Sequence, residues 1–305
     1  MSVELRPPAH GDAAAIAAAL NEFNRPAKNV LDSPEEVEIW LGTPSLDAEH
    51  DVRVAVVDGR IVGYAEASDI SGEGRIVIGD FRADPAHAHA SIALLGFVET
   101  RARERIRDGG KLKIWVPEKA RANRALLESR EFAFHHYSLR MAIELDDEPP
   151  PPAWPDGISV RTYGGEKDDR AVWEVEQETF FDQRDWEHEA FEDWRHWAQR
   201  DPFEPRLWFL AEAGEELVGI CLCRSEWGGD PDFGWVGVIG VRRPWRRKGL
   251  GAALMQHAFR ELRSRGKRRV GLGVDSGNPT GAVRLYERVG MQVERRIAWY
   301  EKAAR

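Results

Sequence analysis

Val238-Ile239-Gly240-Val241-Arg242-Arg243-Pro244-Trp245-Arg246-Arg247-Lys248-Gly249-Leu250-Gly251 is the stretch on which the reading of this chain turns. Its β-branched apolar opening predicts a buried strand. A basic turn with two glycines follows, and Ala252 to Arg265 then reads as a helix with Leu254, Ala258 and Leu262 on one face. Such a turn gathers backbone N–H groups and a helix N-terminus around one point, and its arginines and lysine add positive charge. The glycines let a diphosphate come closer to the backbone than a Cβ would allow. Taken alone, the pattern equally fits a strand-to-helix turn with a solvated basic rim.

The context downstream separates the two readings. A second apolar run, Val270-Gly271-Leu272-Gly273-Val274, leads to Asn278, and then to a helix carrying Ala282, Leu285 and Tyr286 that ends at Gly290-Met291. With both motifs in this order, the chain resembles the GCN5-related N-acetyltransferase family. That family has an R/Q-x-x-G-x-G/A turn after its fourth strand and an N-x-x-A-x-x-L-Y-x-x-x-G-F/M signature after its fifth. The asparagine-to-alanine gap is one residue longer here. The resemblance implies a mixed α/β fold, with a sheet flanked by helices, and acetyl-coenzyme A as co-substrate without a metal.

The bulk properties agree with a globular chain. It has 305 residues, enough for two domains with cores of their own. No apolar run approaches the roughly 18 residues of a membrane span, and residues 1–10 lack the form of a secretory signal, so a cytoplasmic protein without membrane association is expected. Cys221 and Cys223 alternate along a strand, where a disulfide is geometrically disfavoured. They read as buried thiols, and no metal is expected. The net charge of −9 falls mostly on the first half: residues 1–150 hold 18 Lys and Arg against 26 Asp and Glu, and residues 151–305 hold 25 against 26. That balance disfavours nucleic acid as a partner.

The charged, proline-rich stretch 146–157 reads as an extended linker. On either side of it the pattern repeats. Gly59-Arg60-Ile61-Val62-Gly63-Tyr64 parallels Glu215-Glu216-Leu217-Val218-Gly219-Ile220, 156 residues apart; Pro85 matches Pro244 and Phe132 matches Met291, both 159 apart. The expectation is a tandem pair, a degenerate acetyltransferase-like domain over 1–145 and a catalytic one over 158–305. In the first half His87-Ala88-His89-Ala90-Ser91-Ile92 stands opposite Arg246 to Gly251, without glycine, arginine or lysine, and Leu127 stands opposite Tyr286. Two histidines without further ligands do not suggest a metal site.

The resemblance assigns roles residue by residue in the second half. Backbone groups of Ile239, Gly240 and Val241 would bond the pantetheine amides, and Arg246, Arg247, Lys248, Gly249, Leu250 and Gly251 would hold the diphosphate. Asn278 would lie near the cofactor, and Tyr286 would protonate the departing thiolate. For the base, several relatives, including the tandem mycothiol synthases, carry a glutamate early in the fourth strand, where this chain has Trp235. Glu226 and Asp232 are nearby candidates, alongside proton loss to water. Nine carboxylates between Glu174 and Asp193 are interleaved with Trp173, Phe180, Phe181, Trp186 and Trp194. They suit a cationic amine, or a helix pair with solvated charges. The leading expectation is an N-acetyltransferase acting on the amine of a small molecule or peptide, as monomer or homodimer. A mycothiol-synthase-like acetylation of a cysteinyl amine and a non-catalytic coenzyme A-binding regulator are the alternatives.

Overall fold

Strands and helices alternate along both halves of the chain. The computed structural model describes residues 2–25, 32–69, 71–199 and 203–303. The first half runs β1 (Glu4–Arg6), α1 (Ala13–Asn24), α2 (Pro34–Leu41), α3 (Ala48–Asp51), β2 (Val52–Val57), β3 (Arg60–Ser68), β4 (Ile76–Ala83), α4 (Ala88–Arg105), β5 (Lys111–Pro117), α5 (Arg121–Ser129) and β6 (Ala133–Glu144). The second runs β7 (Ile158–Thr162), α6 (Asp169–Phe180), α7 (Phe191–Ala198), β8 (Trp208–Ala213), β9 (Glu216–Arg224), β10 (Phe233–Val241), α8 (Leu250–Ser264), β11 (Arg269–Asp275), α9 (Ala282–Arg288) and β12 (Gln292–Ala303). The halves repeat one order of elements, apart from the added α3.

In space the chain divides into a first unit, Met1–Tyr137 with Ile297–Arg305, and a second, Ser138–Arg296. Each is completed by a strand from the other half of the chain. In the first unit β5 pairs antiparallel with β12 from Ala303 back to Ile297. In the second, β11 pairs antiparallel with β6 from Ser138 to Glu144. Residues 146–157 belong to the second unit and are strapped along α8. Having no helical or strand partners, their carbonyls accept from arginines: Arg260 donates to Pro149 O at 2.7 Å and Arg263 to Asp146 O at 2.8 Å.

Both units are antiparallel meanders with one parallel step, β4 beside β5 in the first and β10 beside β11 in the second. The crossover helices α4 and α8 cover one face. In α8 the buried residues Leu250, Leu254, Ala258 and Leu262 recur every fourth position, the stripe that the sequence predicts. Each buried leucine contributes about 1.5–3 kcal/mol. The other face of the second unit is covered by α6 and α7, where Val172, Val175 and Trp194 pack on Ile220, Leu222 and Val238.

Candidate active site

The parallel step is where each sheet opens. Strands β10 and β11 pair from Phe233–Arg269 to Val236–Leu272, and beyond that rung β10 pairs with β9 and β11 with β6. At the same point β10 carries a bulge, its register with β9 shifting between Val236 and Val238 around Gly237. A bulge bends its strand and raises the local twist, which helps part the neighbours. The edge of β10 over 238–241 therefore faces the opening without a strand partner, and can accept an extended, amide-bearing chain. Gly240 lies under α6, where a Cβ would collide with Thr179.

The basic turn closes the C-terminal end of this edge. Arg247 and Gly249 hold positive φ, 61° and 92°. The glycine adopts that conformation freely, whereas the arginine is held in it. Among the described residues no hydrogen bond takes up the amides of residues 247–252, while the Arg246 amide already donates to Arg243 O at 3.2 Å. Six free donors at a helix N-terminus are an arrangement that can hold an anion in a cradle of amides. The glycines differ in use: a Cβ on Gly249 would meet nothing within 4 Å, whereas one on Gly251 would come within 3.1 Å of Leu285 in α9. Gly249 leaves open space over the cradle, and Gly251 lets α8 approach α9.

The basic side chains divide likewise. Arg246 turns inward, donating to Val241 O at 2.9 Å, Thr179 O at 3.2 Å and Asp182 at 2.7 Å. Asp182 also accepts from Arg243, and these two arginines hold its carboxyl down to about 2. Glu178 is paired with Arg242 at 3.2 Å. Glu178 on α6 and Asp182 just after it thus brace the turn. Arg247 and Lys248 remain exposed beside the cradle, Lys248 over the Trp245 ring at 4.8 Å.

Tyr286 is buried on α9, and among the described residues its hydroxyl has no hydrogen-bond partner. Burial raises its pKa, with Cys221 nearby adding to the effect, so the phenol keeps its proton at neutral pH. Cys221 and Cys223 are free thiols with sulfurs 3.7 Å apart. Asn278 is half-buried in the β11–α9 loop, its side-chain oxygen taken by the amide and hydroxyl of Thr280 at 2.9 and 2.6 Å. Glu226 and Asp232 are both exposed, and the structure does not bring Asp232 to the opening: four paired rungs, from Phe233 to Val236, lie between.

Two other carboxyls stand out. Burial under α7 raises Glu176 to about 7, with Glu189 adding to it and a 2.8 Å hydrogen bond from Trp194 Nε1 opposing it. Glu176 lies one turn before Thr179, on the side of α6 that meets β9 and β10. Glu189, in the α6–α7 connection, is also raised to about 7, first by burial and then by Asp193. Sequence reasoning set both among the acidic run without singling them out, because their half-burial comes from the fold and not from the local sequence.

The first unit answers position by position. The Phe132 amide donates to Leu127 O at 3.1 Å as the Met291 amide donates to Tyr286 O at 2.9 Å, so Leu127 occupies the tyrosine position in three dimensions as well as in the repeat. Strand β4 pairs with β3 without a break in register. With Gly63 opposite Ala83 and Gly219 opposite Val241, Arg82 falls where the second unit has Gly240. Its buried guanidinium lies over Trp40 and Trp115 and pairs with Asp80 at 2.8 Å and Asp32 at 3.2 Å. The Phe81 carbonyl, beyond the last β4–β5 rung, is met by Asn123 Nδ2 at 3.5 Å. Lacking glycines, the turn winds into helix: α4 starts at Ala88, whereas the residue matching Leu250 is Ser91.

Comparison with known proteins agrees with this geometry. The model of the acetyltransferase (GNAT) family matches residues 170–291. Mycothiol acetyltransferase of Thermomonospora curvata is 32% identical over 243 residues, covering 78% of this chain and 77% of that protein. Among solved structures, a GCN5-related N-acetyltransferase from Sphaerobacter thermophilus superposes with a TM-score of 0.76 at 29% identity, over 99% of this chain and 96% of that one. A tandem GNAT protein from the clavulanic acid biosynthesis pathway shares the fold, with a TM-score of 0.72 at 18% identity over 100% of this chain and 99% of that one. The chain belongs to the GNAT family of acetyltransferases and has the tandem form. It is an N-acetyltransferase, of a family that uses an acyl-coenzyme A as co-substrate. Fold class, family and enzyme class thus stand as the sequence predicted. Among the described residues no helix is long and apolar enough to cross a membrane.

Proposed function

We propose that the chain transfers the acetyl group of acetyl-coenzyme A to the amine of a small molecule or peptide, and that the second unit alone carries this site. The observation that supports it best is the run of unpaired amides at 247–252 beside the unpartnered edge of β10. The amides, with Arg247 and Lys248, bind the diphosphate, and the backbone of Ile239, Gly240 and Val241 orients the pantetheine arm. Gly249 keeps the cradle open, and Asn278 shapes the loop beside it. Arg246 serves by bracing the turn against α6. The family match over 170–291 falls on the same unit.

Acetyl-coenzyme A supplies an activated thioester carbon. As the acceptor nitrogen bonds to that carbon and the C–S bond breaks, Tyr286 gives its proton to the leaving sulfur. The amine's proton passes through water to Glu176, whose carboxyl is poised near neutrality. A mycothiol-type acceptor, a cysteinyl amine, is the second reading, favoured by the similarity to the Thermomonospora curvata enzyme. Coenzyme A release over a panel of amines that includes a cysteinyl amine, with calorimetric titration of acetyl-coenzyme A, tests both. Turnover and one site per chain are expected; two sites per chain would overturn the assignment to a single unit.

A further inference from the structure

On the α6–α7 face of the second unit, beside the opening, the sheet is covered by aromatic rings of β10 and not by side chains of β11. Gly271 and Gly273 on β11 carry no side chains there, and their partners are Trp235 from β10 and Arg140 from β6. The Trp235 ring lies across both glycines, with Cζ3 3.0 Å from where a Cβ on Gly271 would stand and Cζ2 3.9 Å from one on Gly273. Trp227 stacks on Trp235, centroids 4.4 Å apart and planes within 12°. Gly273 is the first residue of β11 past its last rung with β10, so Arg140 flanks the opening one strand away.

Arg140 is 9% exposed, its guanidinium over the rings of Phe233 at 4.8 Å and Trp235 at 5.6 Å. Among the described residues its guanidinium makes no hydrogen bond. Glu294 stands 3.2 Å from Nε, but Nε is without a hydrogen-bond partner. Glu294 is shared with Arg269 at 2.6 Å and Arg295 at 4.0 Å, and Arg269 holds Glu144 at 2.8 Å. Three guanidiniums thus converge on Glu294. Burial, and then repulsion from Arg295, pulls the Arg140 pKa down to about 10, which leaves it charged at neutral pH. A buried cation without hydrogen bonds is costly unless an anion completes it.

We propose that Arg140 determines acceptor specificity, and that the acceptor is an amine that also bears a carboxylate, the carboxylate seated on Arg140 and the carbon skeleton on the Trp227–Trp235 pair. A planar carboxylate matches the guanidinium fork, and the paired rings offer an apolar wall. The proposal rests on the acetyltransferase reading of the second unit and adds the chemical class of its acceptor.

The test uses the full chain with coenzyme A present and tryptophan fluorescence to read binding. The probes are L-leucine and the dipeptide Gly-Leu, each beside its carboxamide, so that a free amino acid and a peptide terminus are told apart. The carboxylates should bind about tenfold or more tightly than the carboxamides, as a charge-assisted bond requires. Arg140→Met should erase that preference without changing coenzyme A affinity, and Arg140→Lys should retain part of it. Glu294→Gln removes the internal competitor and should strengthen carboxylate binding, the opposite of what a purely structural arginine would give. Equal binding of carboxylate and carboxamide, preference surviving in Arg140→Met, no binding of either carboxylate, or no gain in Glu294→Gln would each overturn the proposal. Carboxylate-selective binding without acetyl transfer would instead break the catalytic reading and leave the anion site standing.

Discussion

The α5 and α9 helices end on the same hydrogen bond, Phe132 to Leu127 and Met291 to Tyr286, yet only one of the two carries a hydroxyl. The two units share the meander, the single parallel step and the parting of strands after it. They differ in what occupies the parting. The second unit has a bulge, a glycine under α6 and a turn of unpaired amides; the first has unbroken register, a buried arginine and a longer helix. The opening therefore belongs to the scaffold, and on the proposed function binding falls to the few residues that leave it unfilled by side chains in the second unit. An arginine held between two tryptophans and two carboxylates fills such a space as firmly as any core side chain.

The largest expected effect separates hydroxyl from scaffold. Tyr286→Phe should lower turnover about 10²–10⁴-fold while acetyl-coenzyme A affinity holds, because the ring still packs and only the proton is lost. Leu127→Tyr should add no activity. Steady-state kinetics with rate-limiting chemistry decides the matter, and a change of less than about threefold would make Tyr286 a packing residue.

Next is the half-buried carboxyl of Glu176 on α6. With Glu176 raised to about 7, kcat/KM should rise as pH increases through that value, since only the ionised form accepts a proton. Glu176→Gln should remove this limb and reduce kcat/KM about 10²-fold. Trp194→Phe deletes the hydrogen bond that favours the ionised form, so the limb should move to higher pH. A limb that persists unchanged in Glu176→Gln would send the search for the base elsewhere.

The turn comes third. Gly249→Ile puts a β-branched residue at φ 92° and a side chain over the open cradle, and should weaken acetyl-coenzyme A about tenfold to a hundredfold, the worth of one charge-assisted phosphate contact. Ala90→Gly, the matching change in the first unit, should create no second site, because Ala90 is buried within α4. Calorimetry on the two variants shows whether glycine alone, or glycine with the unwound turn, makes the cradle.

Much of this contrast was legible in the sequence, for local reasons. Gly249 and Gly251 announce backbone conformation and close approach, and the motif from Asn278 to Met291 fixes Tyr286 on a short helix; both are properties of neighbours in the chain. What was not legible depends on distant segments. The bulge at Gly237 appears only when β10 is laid against β9. The exchange of β6 and β12 between units follows from no local pattern, and the boundary at Tyr137 and Ser138 falls inside a continuous strand. Arg246 reads as a phosphate ligand until Val241, Thr179 and Asp182 are seen to hold its side chain. Arg140 and Glu176 look like ordinary surface charges until the fold buries the first and half-buries the second.

The smallest functional effect is expected from the first unit's own buried acid. Glu66 accepts a 2.6 Å hydrogen bond from Tyr64, and burial, with Asp80 nearby, raises it from 4.5 to about 7. A carboxyl raised on folding binds its proton more tightly in the folded state. Its stabilising contribution is therefore present in full below about 4.5 and is lost as pH rises through 7. At 1.36 kcal/mol per unit, the loss between pH 5 and 8 is on the order of 2–3 kcal/mol. Glu66→Gln keeps an acceptor for Tyr64 but cannot ionise, so it should flatten this dependence and leave turnover in the second unit unchanged. Amide exchange in β3 and β4, measured at both pH values, reads the first unit separately from the second. Wild type and Glu66→Gln losing protection in parallel would show that Glu66 stays ionised in the fold, with Arg82 balancing it along with Asp80 and Asp32.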